Sequence, residues 1–159
     1  HAPSAKNRRP ARWIVAYERE KLKAIGDSMA DWLEIVAADK KAAAGFPEVQ
    51  ALARAWRRGI DPFFRGAPHL VLAVTPKNWA WGGIDAAICL TYMEIAALPH
   101  KVGACWAGYV TTAARQHEPL QRLLGLTENE EVSGGQMLGH VALRPTAAAP
   151  RDPFPLQWL

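Results

Sequence analysis

The stretch WGGIDAAICLTYMEIAALPHKVGACWAG, residues 81–108, decides how the rest of the chain is arranged. Between residues 84 and 98 only Asp85, Thr91 and Glu94 are polar, so apolar surface wraps almost the whole of a helix. A helix apolar on all sides belongs in the middle of a domain or in a membrane. Fifteen residues at ~1.5 Å each cover roughly 22 Å, short of the ~20 residues a bilayer requires, and this excludes a membrane span. Asp85 falls in the first turn, where the unpaired amides and the helix dipole favour a carboxylate. Pro99 ends the helix, since it lacks an N–H and disfavours helical geometry at Leu98. A short glycine-bounded strand follows. The spacing therefore predicts a central buried helix around which everything else packs.

Outward from that helix, 159 residues suffice for one domain with a substantial core. Half the residues are hydrophobic and 21% are charged, as in ordinary globular proteins. Seven tryptophans are many, and imply flat cavities to fill or an interface. A formal charge of +4 favours anionic partners only mildly. Cys89 and Cys105 are the only cysteines and have no metal-ligand spacing. As two buried thiols without a disulfide framework they point to a reducing compartment, the cytoplasm. The chain begins at His1 rather than Met, within what reads as a structured motif, so residues before it are expected in the parent protein.

On the N-terminal side, residues 12–17 (RWIVAY) read as a strand and residues 18–41 as a long helix with Leu22, Ile25, Met29, Trp32, Leu33 and Val36 on one face. Gly45, Phe46 and Pro47 break it, and Pro47 opens a helix ending near Gly59. HLVLAVT, residues 69–75, is a nearly continuous apolar run and hence a central strand. On the C-terminal side the spacing predicts a strand over 102–111, a helix over 119–124 and a Gly-rich last strand over 130–141. From residue 145 to 159 the chain is an extended Pro/Ala tail whose terminal aromatics need something to pack on, so the domain proper is residues 1–144.

Most catalytic signatures are missing. HEPLQ at His117 departs from a zinc-protease helix at Gln121 and Pro119, and SGGQMLG precedes an apolar strand rather than a helix. Five scattered histidines form no metal cluster, and neither a catalytic residue nor a metal site is assigned. Glu94 reads either as a general base or, preferably, as a carboxylate paired with an arginine or facing a subunit interface. Arg54, Arg57 and Arg58 read as a solvated helix face, although they and residues 6–9 (KNRR) could also grip phosphate.

Three motifs together resemble the FMN-dependent nitroreductase family. APSAKNRRPARWIV is similar to that family's A-P-S-x-x-N-x-Q-P-W segment leading into a strand. FFRGAPHLVLAV, followed by the helix and GACWAG, resembles the branch often joined to an iron–sulfur ferredoxin domain. MLGHVALRPTAAAPRDP is similar to the family's closing segment. Their order spans nearly the whole chain. Arg9 stands where the family usually has Gln, Arg12 where an aromatic falls and Asp152 where Lys is common, and the family's N-terminal R-R-S-x-R helix is not in this sequence.

The resemblance implies an α+β, nitroreductase-like fold: a mixed or antiparallel sheet flanked by helices around the buried central helix. It implies a homodimer with FMN at the subunit interface and the tail on the partner subunit. Pro3, Ser4 and Asn7 would touch the flavin from one subunit. Backbone N–H groups at Ala107 and Gly108 would lie near the flavin N5 in the other, and Arg151 would hold the FMN phosphate. The implied activity is an oxidoreductase passing electrons from NAD(P)H, or from a ferredoxin domain, to nitroaromatic or quinone-like acceptors. Such a site needs no catalytic acid or nucleophile from the protein. The alternative is a degenerate protein of this fold that binds FMN or a related ligand without turnover. A basic nucleic-acid module is weaker, since no RNA-binding aromatic signature appears.

Overall fold

The computed structural model describes residues 1–142 and 150–158. Four strands, β1 (Arg12–Ala16), β2 (His69–Pro76), β3 (Val102–Trp106) and β4 (Glu130–His140), form one sheet of order β1-β2-β4-β3. Every pairing is antiparallel. Among the described residues six α-helices flank it: α1 (Arg19–Ala38), α2 (Lys40–Ala44), α3 (Val49–Arg57), α4 (Gly82–Ala97), α5 (Gly108–Gln116) and α6 (Glu118–Leu123).

The pleat of β2 sorts the layers. Successive side chains point to opposite faces. Leu70, Leu72 and Val74 enter the main core with Ile25, Met29, Leu33, Val110, Ala113 and Leu120 from α1, α5 and α6. Ala73 faces the other way, into a small cluster with Ala86 and Leu90 of α4. Both faces of β2 are dry, which accounts for its nearly continuous apolar sequence. Gly134 lets α4 approach closely, since a Cβ there would lie 2.7 Å from Leu90 Cδ1. The β2–β4 register slips between Ala73 and Val74, and Ser133, outside the pairing, meets Thr75 Oγ1 at 2.7 Å.

Several elements differ from the sequence reading. The helix over 18–41 breaks at Asp39, whose carboxylate accepts from the amides of Lys41 and Ala42 and so starts α2 as its N-cap. Pro47 lies in the turn before α3 rather than in it. The strand over 102–111 stops at Trp106, and a helix, α5, begins at Gly108. The run Val110-Thr111-Thr112 has β propensity, but both threonine hydroxyls bond back to carbonyls four residues earlier, Ala107 and Gly108. The thiols are less hidden than expected, for Cys105 is exposed and Cys89 half-buried.

The largest difference concerns the organising helix. In the single chain α4 buries one face only, with Gly82, Asp85, Ala86 and Leu90 against the sheet. Ile84, Tyr92, Ile95 and Leu98 are 54%, 48%, 60% and 60% exposed on the other. The main core lies across the sheet instead. A helix without amphipathic contrast has no sequence signal telling the packed face from the outward one. Residues 145–149 and Leu159 of the expected tail lie outside the described residues. Residues 150–158 form neither helix nor strand, with Phe154, Leu156 and Trp158 at 89%, 72% and 86% exposure. Among the described residues no helix is long and apolar enough to cross a membrane.

In the main core Trp56 lies flat on Gly26 of α1, where a Cβ would fall 2.1 Å from Trp56 Cζ2. Ala favours a helix by ~1 kcal/mol over Gly, whereas overpacking a core costs ~1–3 kcal/mol, so the clash outweighs the propensity gain. Gly26→Ala is expected to lower stability in urea denaturation by about 1–2 kcal/mol.

Candidate active site

Residues 3–9 form a compact knuckle ahead of β1. The Asn7 amide donates to the Ser4 carbonyl (2.9 Å), the Arg8 amide to the Ala5 carbonyl (3.2 Å), and the Arg9 amide to Ser4 Oγ (2.9 Å). Lys6, Asn7 and Arg9 hold positive φ of 53°, 52° and 49°. Left-handed geometry at non-glycine residues costs of order 1–3 kcal/mol each and persists only where the surroundings enforce it.

Two anchors do so here. The Asp85 carboxylate, 1% exposed, accepts from the Ala5 amide at 2.7 Å and from Trp79 Nε1–H at 2.7 Å. The Arg8 guanidinium lies 5.0 Å over the Trp79 ring. Beyond the knuckle, Arg12 grips Glu130 with Nε on Oε1 (2.6 Å) and Nη2 on Oε2 (2.9 Å). The Arg12 hydrogen bond, aided by the Thr127 amide, holds the Glu130 carboxyl down at about 2. Asp85 therefore serves a distant segment and not the amides of its own helix, as its position in the first turn had suggested; its own N–H goes to the Trp81 carbonyl.

At the other edge of the sheet the chain turns from β3 into α5. The Ala107 amide donates to the Gly135 carbonyl at 2.9 Å, and Ala107 is buried. The next three amides, Gly108, Tyr109 and Val110, have no hydrogen-bond partner among the described residues. Gly108 is exposed, and a Cβ there would meet nothing within 4 Å. The corner thus offers a row of N–H donors at a helix N-terminus, above open space.

Between these places runs the outward face of α4. Ile84, Ala87, Ile88, Thr91, Tyr92 and Ile95 recur at helical spacing along it. The exposed Trp106 of β3 and Trp13 and Val15 of β1 extend the apolar exposure. Across from Trp106 in the sheet, Gln136 of β4 is fully buried; its Nε2–H donates to Glu94 Oε2 at 2.9 Å while its Oε1 has no partner among the described residues. Among the described residues Glu94 therefore pairs with an amide side chain rather than with an arginine. Arg54, Arg57 and Arg58 are exposed as expected, and Arg57 makes surface ion pairs with Asp31 (2.5 Å) and Glu34 (2.9 Å) of α1.

Among the sequence-predicted residues, Pro3 and Asn7 are exposed and Ser4 half-buried in the knuckle, while Ala107 and Gly108 share the corner. The first group precedes β1 and is tied to the start of α4, whereas the second follows β3; β1 and β3 are the two edge strands of the sheet. Arg151 is exposed beyond the undescribed stretch. Sequence reasoning missed the Asp85 anchor and the Gln136–Glu94 pair. Their signal is a polar residue on the inner face of an otherwise apolar element, which points to a partner without naming it. Among the described residues no group of three or more His, Cys, Asp or Glu is placed to hold a metal ion.

The sequence matches the family described as "Nitroreductase family" over residues 1–140. No curated protein matches it. Among solved structures, an FMN-bound nitroreductase from Bacteroides fragilis NCTC 9343 superposes with a TM-score of 0.77 at 18% identity, over 99% of this chain and 81% of that one. An FMN-bound nitroreductase from Desulfitobacterium hafniense DCB-2 gives 0.69 at 22% identity, over 94% and 76%. The FMN and NADPH-dependent nitroreductase NfnB from Sphigopyxis sp. strain HMH gives 0.65 at 15% identity, over 94% and 80%. At these identities the likeness is one of fold.

The two thiols flank the region and differ in environment. Burial, and then the Asp85 charge, push the Cys89 thiol up, whereas Cys105 is exposed on β3. Labelling with a soluble disulfide reagent at pH 8 is expected to modify Cys105 at least tenfold faster than Cys89, read by mass spectrometry of tryptic peptides.

Proposed function

The chain belongs to the nitroreductase family, and from that premise we propose that it is an FMN-dependent oxidoreductase acting as a homodimer. The observation that carries the proposal is the division of the site. The knuckle leads into one edge strand, β1, the Gly108 corner follows the other, β3, and α4 presents an apolar outward face. A second copy laid against α4 covers that face and brings the knuckle of one chain to the corner of the other. The unpaired edge of β1 and the exposed Phe154, Leu156 and Trp158 fit the same arrangement, in which the tail crosses to the partner.

The donor set suits FMN. A flat ring with acceptor atoms on its edge needs free N–H donors and room to approach, and Gly108 offers both. The Ala107 amide is committed to Gly135, so Gly108, with Tyr109 beside it, is the donor for the ring edge. Asn7 in the knuckle gives a side-chain amide that both donates and accepts, which matches the pyrimidine edge of a flavin. Arg151 supplies a planar cation for the phosphate. Bound FMN would supply the electron-transfer chemistry, from NAD(P)H or a ferredoxin domain to a nitroaromatic or quinone-like acceptor. The chain's own part is to hold the ring, exclude water with Trp106 and the α4 face, and place N–H dipoles where negative charge grows on reduction.

The test is reconstitution with FMN followed by anaerobic NADPH. The purified protein is expected to sediment at twice the chain mass, to bind one FMN per chain and to bleach with NADPH. Gly108→Val is expected to slow reduction at least tenfold per bound flavin, because a β-branched side chain crowds the corner, while Ala107→Ser stays within a few-fold. Arg151→Ala is expected to cost ~1.5–3 kcal/mol of FMN affinity, the worth of a charge-assisted contact. A stable monomer that binds FMN stoichiometrically would contradict the dimer; FMN binding without bleaching would favour the degenerate alternative.

A further inference from the structure

Asp85 is an anomaly by its surroundings. It sits in the first turn of α4 at 1% exposure, and its two hydrogen bonds come from neutral donors, the Ala5 amide and the Trp79 indole, 80 and 6 residues away in sequence. A carboxylate withdrawn from water needs compensation. No salt bridge supplies it among the described residues, and the Arg8 guanidinium lies over the Trp79 ring. What the arrangement does is mechanical. One oxygen holds the backbone of the knuckle and the other holds the ring on which Arg8 rests, so residues 5 and 8 are fixed to the same point of α4.

The held segment is also the strained one. Lys6, Asn7 and Arg9 all lie in the left-handed region, and the bonds inside the knuckle connect only residues 4–9 with each other. Without an external tie these backbone angles would relax, because only glycine adopts them freely. The tie comes from α4, the helix whose opposite face is apolar and exposed.

We propose that Asp85 is a positioning residue for the cofactor: by holding Ala5 it fixes the knuckle, with Lys6 and Asn7 in left-handed geometry, so that Asn7 is presented to the flavin, and it refers that placement to the helix whose outward face is apolar. This rests on the FMN reading above. Asp85 itself touches no cofactor; it acts through Ala5 and Trp79. The simpler possibility is that the carboxylate only stabilises the start of α4, in which case its loss lowers global stability and leaves the knuckle and the cofactor affinity of the folded protein unchanged.

Asp85→Asn tests the difference. It keeps the shape but turns one acceptor into an amide donor facing another N–H donor, so one of the two bonds is lost. Hydrogen–deuterium exchange on the FMN-free protein reads the knuckle directly. The Ala5 amide is expected to lose protection while the amides of β2 keep theirs. FMN titration is expected to show roughly tenfold or greater weakening, with altered visible circular dichroism of the bound flavin. Trp79→Phe, which removes one donor and leaves the Ala5 bond, provides the same comparison should Asp85→Asn fail to fold, with a smaller loss expected. If the parent protein binds FMN and the variants bind it equally well, or the Ala5 amide stays protected, the positioning role is overturned. If the parent protein does not bind FMN, the functional reading falls and this role with it, whereas the exchange result still reports on the tie itself.

Discussion

Leu70, Leu72 and Val74 of β2 are dry on one side of the sheet and Ala73 and Thr75 are dry on the other, and this two-sided burial is the constraint on which the protomer depends. A strand buried on both faces needs a layer on each. One layer is thick: α1, α3, α5 and α6 contribute Met29, Leu33, Ala53, Val110 and Leu120 to the core on that side of the sheet. The other is a single helix, α4, admitted by a glycine on β4 and held by Leu90 and Ala86. That layer is one helix deep, and among the described residues nothing covers its far side.

The consequence is a core on one side of the sheet and an exposed apolar helix face on the other. Ile84, Tyr92, Ile95 and Leu98 keep about half or more of their surface in water. Apolar surface is worth about 25 cal/mol per Å² when covered, so four such side chains along one stripe favour association strongly. Scattered exposed hydrophobes are ordinary on protein surfaces, but a stripe at helical spacing flanked by Trp106 is a contiguous patch. The same geometry divides the proposed site, with the Gly108 amide at one edge of the sheet and the Asp85-anchored knuckle leading into the other.

Much of this was legible in the sequence. The β2 and β4 strands and α6 follow from apolar runs and breakers at their ends, and the three motifs pointed to the family and to an α+β architecture that the fold carries. What was not legible has physical reasons. The end of the strand reading over 102–111, Val110-Thr111, fails because propensity sees β-branching and not the burial of Val110, Ala113 and Ala114 on one helix face. The helix over 84–98 reads as buried all round because uniform hydrophobicity does not say whether the second partner is this chain or another. Asp85 reads as a helix-dipole residue because its true partners, Ala5 and Trp79, meet it only once the chain has folded back. The Ala107 amide, expected at the flavin, is engaged with Gly135, and only the hydrogen-bond pattern of the β3–α5 corner separates it from Gly108.

The claim that the site is shared between two copies is tested most directly by complementation. One chain would carry Ser4→Ala with Asn7→Ala, the other Gly108→Val, each with its own purification tag so that mixed dimers can be isolated. If the knuckle and the corner come from different chains, one of the two sites in the mixed dimer carries both lesions and the other carries none. The account predicts one FMN per mixed dimer, reduced by NADPH at the parent rate, while each variant alone is impaired. A mixed dimer no better than either variant would mean that each chain builds its site alone, and would contradict the account.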